Sequence, residues 1–149
     1  MNSWREWLTK SSHSGEEIVN AIRPRVQNWV DARDGISFRT AQILSGHGCF
    51  GRYLYHIGRE NTSRCWHCDA HTDTSRHTLE ECPAWNRQRR QLIEAVGRDL
   101  ILRAIVEAML SSEEKRGAIF TFCEEVIARK EDNERARRRE GRHTLSSWM

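Results

Sequence analysis

Three cysteines and three histidines lie within eighteen residues, in the segment CWHCDAHTDTSRHTLEEC at positions 65–82. Thiolate sulfur and imidazole nitrogen are the ligands that zinc prefers, and they usually surround the ion in tetrahedral sets of four. In a reducing compartment, clustered cysteines indicate metal binding or catalysis rather than disulfides. The total of five cysteines is odd, which also argues against complete disulfide pairing. The segment therefore predicts a metal site.

Three of the four ligands follow from the spacing of the cysteines. Two residues separate Cys65 from Cys68, so a tight turn can aim both sulfurs at one ion, and Cys82 is the other thiol nearby. The fourth ligand is then a histidine. His67 lies inside the C-x2-C turn, which points its ring elsewhere, and His71 would leave a very short first loop and a long second one.

His77 completes a more regular pattern, C-x2-C-x8-H-x4-C. The final H-x4-C step fits a turn that enters a helix, and Pro83 suits the first turn of that helix. Four protein ligands leave no coordination position for a reactive water, so such a site is structural rather than catalytic. The sequence therefore predicts one structural Zn²⁺ per chain, held by Cys65, Cys68, His77 and Cys82.

Two other patterns could carry chemistry. The run GHGCFG at 46–51 matches the G-x-G-x-x-G of dinucleotide sites, but such a site follows a strand, and the preceding FRTAQILS has a helical pattern. We interpret the run as a glycine-hinged turn between two short helices. Cys49 with His47 or His56 could act as nucleophile and base, although a lone cysteine beside apolar residues is more often a small buried hydrophobe. Cys123 lies on the apolar face of its helix and is assigned to the core.

The apolar spacing predicts a mostly α protein, in which short helices flank a small CCHC zinc-knuckle loop and a long helix lies at the C-terminus. Ser111 and Glu114 form a capping box that opens this last helix. No apolar stripe continues into KEDNERARRRE at 130–140, so this run is either a solvent-exposed helix or disordered. The predicted segments are a flexible N-terminus (1–14), a helical segment (15–61), the zinc knuckle (62–83), a helical segment packing with 15–61 (84–130) and a charged tail (131–149).

The length of 149 residues fits about one domain. The net charge is +3, and because residues 1–83 carry ten basic and ten acidic side chains, the excess lies in residues 84–149. No stretch approaches the roughly 20 apolar residues of a membrane helix, and MNSWREWLTKSS lacks the apolar run of a secretory signal. We therefore expect a nuclear or cytosolic protein that is not secreted and has no membrane partner.

The run GHGCFGRYLYHIGR, then CWHC, then HTLEECPAW, resembles the C-terminal zinc-knuckle region of arthropod non-LTR retrotransposon reverse transcriptase polyproteins, in particular the clade that inserts into ribosomal-RNA genes. The resemblance spans roughly residues 15–100, and it implies the same four zinc ligands. It also implies binding of element RNA or target DNA during target-primed reverse transcription. The sequence contains no Asp-Asp pair, and we expect no enzymatic activity because the polymerase and endonuclease catalytic parts are lacking.

Side chains in and after the zinc loop could contact nucleic acid. The ring of Trp66 could stack on an unpaired base, because a short zinc loop has little interior; alternatively, the ring packs against the following helix and seals the site. Arg64 and Arg76 could reach phosphate. The predicted nucleic-acid-binding residues are Arg64, Trp66, Arg76, Arg87, Arg89 and Arg90.

The expected partner is RNA or DNA, with single strands preferred if the tryptophan stacks. The alternative is a zinc-braced protein-interaction or self-association module, with a protein partner or a homodimer and no nucleic-acid binding. The modest net charge and the many acids on the helices favour this alternative.

Overall fold

Helices and short helical turns make up the regular structure of residues 37–148, which the computed structural model describes, with side chains described for residues 37–141. The elements are α1 (Phe38–Ser45), α2 (Gly51–His56), a π-helical turn (His77–Glu81), a 3-10 turn (Pro83–Trp85), α3 (Asn86–Val96), α4 (Leu102–Ser111) and α5 (Glu113–Trp148). No strand occurs within this range, and the Cys/His segment lies between the shorter helices. The predicted mostly α class with a long C-terminal helix is therefore confirmed. The predicted flexible terminus (1–14) and the helical pattern of residues 15–36 lie outside the described residues.

The long helix α5 is the element against which α1, α3 and α4 pack. Its apolar side chains repeat at the spacing of one helical face, and each is almost inaccessible to solvent. These residues are Ile119, Phe122, Cys123, Val126 and Ile127. Burial raises the pKa of the Cys123 thiol to about 12, in keeping with its assignment to the core. Among the helices of residues 37–148, none has the length and apolar composition that crossing a membrane requires.

Helix α5 begins one residue later than the predicted cap at Ser111 implies. Ser111 is the last residue of α4, and its hydroxyl donates to the carbonyl of Ala108 at 3.0 Å. Ser112 instead caps α5, because its hydroxyl accepts a hydrogen bond from the N–H of Lys115 at 3.3 Å. The prediction that Ser111 and Glu114 form the cap is therefore wrong by one position. Two adjacent serines offer the same cap chemistry, and the end of α4 decides between them.

The charged run 130–140 continues α5 without a break at the predicted boundary of 131. Four side chains continue the spacing of the apolar face: Lys130, Asn133, Glu134 and Arg137. We call these four residues the polar stripe. Lys130 is 1% exposed, and the side chains of Glu134 and Arg137 are 12% and 21% exposed. Of the two predicted alternatives, the run is therefore a helix, and Asp132, Asn133, Arg135, Arg139 and Glu140 are exposed as that alternative expects. Lys130, Glu134 and Arg137 are the exceptions, because they pack against the loop between α2 and α3.

The glycine-rich run 46–51 forms the turn between α1 and α2, as interpreted from the sequence. Gly46 ends α1 with a φ of 73°, a left-handed conformation that favours glycine. At Gly51, a Cβ atom would collide with the backbone carbonyl groups of Ser63 and Arg64. A helix precedes the run where a dinucleotide site needs a strand, so the run is not such a site. Gly51 instead lets the cysteine loop lie close against the start of α2.

Candidate metal centre

The ligand atoms of Cys65, Cys68, His77 and Cys82 all lie within 4.8 Å of one another. The sulfurs of Cys65 and Cys82 are 3.8 Å apart, and the Cys68 sulfur is 3.3 Å from Nε2 of His77. In a tetrahedral zinc site with Zn–S of about 2.3 Å and Zn–N of about 2.0 Å, two sulfurs lie about 3.8 Å apart and a sulfur and a nitrogen about 3.5 Å apart. These four residues are therefore close enough to bind a metal ion, and their spacing is consistent with zinc.

The other two histidines of the segment lie outside this cluster. The His67 ring packs against Trp85, with 4.9 Å between ring centroids, and its Nδ1 atom is 3.2 Å from the side-chain amide nitrogen of Asn133. His71 is exposed to solvent. The residue inside the C-x2-C turn thus points towards the helices rather than the sulfurs, which is the orientation expected from its position in the sequence.

Backbone hydrogen bonds fold the first half of the loop back on itself. The N–H of Cys65 donates to the carbonyl of Ala70 at 3.0 Å, and the N–H of Asp73 donates to the carbonyl of Ser63 at 2.9 Å. Within this turn, the Ala70 N–H also donates to the Cys68 sulfur at 3.4 Å. These backbone hydrogen bonds therefore fix the turn that carries the two C-x2-C sulfurs.

The second half of the site is a single widened helical turn. The N–H of Cys82 donates to the carbonyl of His77 at 2.7 Å, an i to i+5 bond that closes a π-type turn. The hydroxyl oxygen of Thr74 accepts a hydrogen bond from the His77 N–H at 3.0 Å and so fixes the start of the turn. The H-x4-C spacing in the sequence corresponds to this turn, which brings the last two ligands to the same side of the chain.

Arg89 stabilises the end of the π-type turn through hydrogen bonds to its carbonyl groups. Its guanidinium donates to the carbonyls of Thr78, Leu79 and Cys82 at 3.1, 2.9 and 2.8 Å, and the side chain is buried. Burial lowers the pKa of Arg89 from its usual value. The guanidinium that was predicted to contact nucleic acid is thus engaged inside the protein, because the irregular turn leaves carbonyl groups without helical partners and Arg89 satisfies them.

The sulfurs of Cys65 and Cys82 form a close, buried pair. The contact with the Cys82 thiol lowers the pKa of Cys65, an effect that burial partly opposes. The same contact raises the pKa of Cys82, and burial adds to the increase. The contact therefore shifts the two thiol pKa values in opposite directions. Zinc binding would release the protons that these thiols hold, because zinc is bound by thiolates.

The loop that carries the ligands is tied to α5 by a buried ion pair. The Lys130 ammonium lies 2.7 Å from the Asp73 carboxylate, and the two side chains are 1% and 5% exposed. The carboxylate also accepts hydrogen bonds from the Gly51 N–H at 3.1 Å and the Thr78 hydroxyl at 3.2 Å. One carboxylate thus joins α2, the π-type turn and the polar stripe of α5.

Glu81 is placed to orient the histidine ligand. Its carboxylate lies 3.5 Å from Nδ1 of His77, whose Nε2 faces the cluster. A carboxylate on the second ring nitrogen fixes the tautomer and orientation of a zinc-bound histidine, and loss of such a group typically lowers metal affinity about 10- to 100-fold. We therefore expect Glu81→Gln to weaken zinc binding by this factor in competition with a chromophoric chelator.

The matched control for this prediction is Glu80→Gln. Glu80 is the neighbouring acid, and it pairs with the exposed Arg76 at 3.1 Å rather than with a ligand. Its substitution removes the same charge and should leave zinc affinity unchanged. If both variants bind zinc equally well, Glu81 has no orienting role.

Trp66 lies at the surface beside the cluster, with 41% of its area exposed. The guanidinium carbon of Arg64 is 4.7 Å from its ring centroid and that of Arg137 is 4.9 Å from it. The ring therefore meets two cations rather than sealing the site against the following helix. Arg137 was not predicted as a partner of this ring. The charged run that contains Arg137 has no apolar periodicity, so the sequence carried no signal for this contact.

The remaining predicted arginines of the nucleic-acid set are exposed, but two of them are paired. Arg76 pairs with Glu80 and Arg87 with Glu125, at 3.1 and 2.9 Å. Arg90 forms no ion pair within residues 37–141. Exposed pairs of this kind contribute about 0–1 kcal/mol, so they do not prevent these arginines from meeting another anion.

Comparison with known proteins agrees with the resemblance seen in the sequence. The chain is 28% identical over 131 residues, 87% of its length, to a 115 kDa protein assigned to the type-1 retrotransposable element R1DM of Drosophila melanogaster. It spans 12% of the length of that protein. No family model matches the chain, and no solved structure matches it. The likeness supports a retrotransposon origin for this sequence.

Proposed function

We propose that the chain is a non-catalytic zinc-binding module of retrotransposon origin that binds nucleic acid, either RNA or target DNA. The observation that supports this function most directly is a surface tryptophan, flanked by two arginines, inserted between two ligands of a Cys₃His cluster. Zinc would be held by Cys65, Cys68, His77 and Cys82. With all four positions filled by protein, its contribution is structural.

The chemistry of this surface suits a single strand. A base can stack on an exposed indole ring, and such stacking is worth about 1–3 kcal/mol per base. Arg64 is exposed and forms no ion pair within residues 37–141, while Arg137 shares its charge with Glu60 at 3.2 Å. Guanidinium groups beside the ring can bind the phosphates that flank a stacked base.

The zinc ligands determine where Trp66 lies. Cys65 and Cys68 flank it in the sequence, so an ion bound by both sulfurs fixes the turn that presents the indole. The proposed zinc site and the proposed nucleic-acid surface therefore depend on the same turn. Removal of the ion should disorder this turn and with it the position of the Trp66 ring.

Replacing Trp66 by alanine should lower the affinity for single-stranded RNA or DNA by about 5- to 150-fold, the equivalent of one lost stacking contact of about 1–3 kcal/mol. The measurement is fluorescence anisotropy of single- and double-stranded oligonucleotides with zinc-loaded protein at two salt concentrations. Wild-type binding should weaken at the higher salt, because phosphate contacts release counterions.

Tyr55→Ala is the control for the tryptophan variant, because Tyr55 is also an exposed aromatic residue, at 56%, and lies outside the cluster. It should bind oligonucleotides like the wild type. An unchanged affinity of the Trp66→Ala variant, with its zinc intact, would rule out the stacking contact.

The second candidate is a zinc-braced protein-interaction or self-association module. It is favoured by two apolar side chains exposed at the end of α2, Tyr55 at 56% and Ile57 at 44%. Light scattering combined with a gel shift at two salt concentrations separates the two functions. A dimer that is indifferent to nucleic acid would favour this second candidate.

A further inference from the structure

A cleft of about 350 Å³ lies between α2 and the segment that leads into His77. Helix α2 contributes Arg52, Tyr53 and His56 to its wall, and the segment contributes the hydroxyl-bearing side chains of Thr74 and Ser75. The volume is near the lower end of small-molecule sites, which measure about 300–1,000 Å³. The cleft is therefore large enough for one nucleotide and too small to enclose a duplex.

The charge of the cleft favours an anion. Arg52 is exposed and forms no ion pair within residues 37–141, whereas many other arginines there are paired with carboxylates, including Arg39, Arg59, Arg87 and Arg137. No carboxylate is among the described residues that line the cleft. The nearest acid in the sequence, Asp73, directs its carboxylate to Lys130 instead.

The walls of the cleft are held by contacts within the loop, one of which also starts the π-type turn of the metal cluster. The Arg52 N–H donates to the carbonyl of Asp73 at 2.9 Å, which fixes α2 against the segment. Thr74 accepts the hydrogen bond that starts the π-type turn at His77. The Tyr53 ring stacks on His47 with 4.8 Å between centroids. The cleft is thus preformed, with a guanidinium, an imidazole, hydroxyls and a fixed aromatic ring around one space.

We infer that this cleft binds one nucleotide unit of a single strand, with Arg52 on the phosphate, the hydroxyls of Thr74 and Ser75 as hydrogen-bond partners, and Tyr53 against the sugar or base. This inference rests on the proposed function and deepens it, because it adds a second contact point besides Trp66. A free phosphate would share part of this chemistry, but it would not use the aromatic wall.

The test is a two-dimensional NMR titration of the full-length, ¹⁵N-labelled, zinc-loaded protein with uridine 5′-monophosphate, inorganic phosphate and uridine in separate experiments. The monophosphate should shift the amide signals of Arg52, Tyr53, Thr74 and Ser75. Inorganic phosphate should shift them less, and uridine should leave them unmoved. Equal shifts with inorganic phosphate, or no shift with the monophosphate, would overturn the assignment of the cleft to a nucleotide.

Two arginine variants sharpen this test. Arg52→Ala should abolish the shifts caused by the monophosphate, whereas Arg98→Ala, which removes an exposed charge outside the cleft, should retain them. With single-stranded oligonucleotides, Arg52→Ala should reduce the slope of log affinity against log salt by about 0.7, the value for one lost phosphate contact. Monophosphate shifts that persist in Arg52→Ala would overturn the role of its guanidinium.

The two proposals can fail separately. If the wild type binds no oligonucleotide at either salt concentration, the proposed function fails, and the monophosphate titration still decides the cleft. If oligonucleotides bind and Arg52→Ala matches the wild type in affinity and salt slope, the cleft assignment fails while the proposed function stands.

Discussion

Replacing Cys68 by serine is expected to abolish stoichiometric zinc binding and to unfold the loop between α2 and α3. A serine hydroxyl is a poor substitute for a thiolate ligand, and among the described residues the cluster has no fifth member that could replace it. Structural zinc in zinc-finger peptides binds with an apparent free energy of about 10–16 kcal/mol, which is also folding free energy. Chelation of the wild type should have the same effect. The measurements are metal content and the loss of dispersed amide signals from residues 57–82.

Cys49→Ala provides the control for this variant. Cys49 is a buried thiol outside the cluster, and burial is the main reason that its pKa is raised to about 12. Its loss should leave one zinc per chain, with a small change in stability from the vacated volume. A Cys68→Ser variant that retains a full equivalent of zinc and an ordered loop would mean that this sulfur is not a ligand.

The second large effect is expected at Lys130, which anchors the cysteine loop to α5. Lys130→Met keeps much of the side-chain volume but leaves the Asp73 carboxylate buried without its cation. Removing one partner of a buried ion pair costs about 3–5 kcal/mol. Urea unfolding of the zinc-loaded variant should show a loss of this size in the free energy of unfolding. The variant should still fold, because the hydrogen bonds from Gly51 and Thr78 to the carboxylate remain.

Two further variants test whether the burial of the charge is the cause. Arg129→Met, one position earlier, breaks only an exposed contact with Glu125 at 3.8 Å, so it should cost at most about 1 kcal/mol. Combining Lys130→Met with Asp73→Asn removes both charges and should recover part of the loss. If Lys130→Met and Arg129→Met are equally mild, the ion pair does not hold the loop.

The fold class and the geometry of the cluster were accessible from the sequence because both depend on local spacing. The C-x2-C and H-x4-C steps correspond to a turn and a π-type turn whose backbone hydrogen bonds span few residues. The exclusion of His67 from the cluster follows from the same local constraint. Patterns of this kind can be read from a single sequence without knowledge of distant contacts.

The polar stripe could not be read in this way. In KEDNERARRRE almost every position is charged, so hydrophobic periodicity gives no signal for the face that packs. The partners of Lys130 and Arg137 lie far away in the sequence, at Asp73 and Trp66. The burial of Arg89 could not be read from the sequence for a related reason. An arginine that satisfies buried carbonyls and one that faces phosphate have the same sequence pattern, and only the tertiary structure separates them.

The stripe also connects the two proposed roles of the loop. Along one face of α5, Lys130 meets Asp73, Asn133 meets His67, and Arg137 meets Trp66. The helix therefore braces the segment that carries the ligands and supplies a cation to the proposed stacking surface. We therefore expect nucleic-acid binding to weaken when zinc is removed, and also when the contacts between the loop and the polar stripe are broken.

X-ray absorption at the zinc edge, together with the metal content of the purified protein, tests the zinc site most directly. We expect one zinc per chain with three sulfur neighbours at about 2.3 Å and one nitrogen neighbour at about 2.0 Å. A folded protein that retains no metal, or a bound zinc with fewer than three sulfur neighbours, would contradict the assignment of Cys65, Cys68, His77 and Cys82.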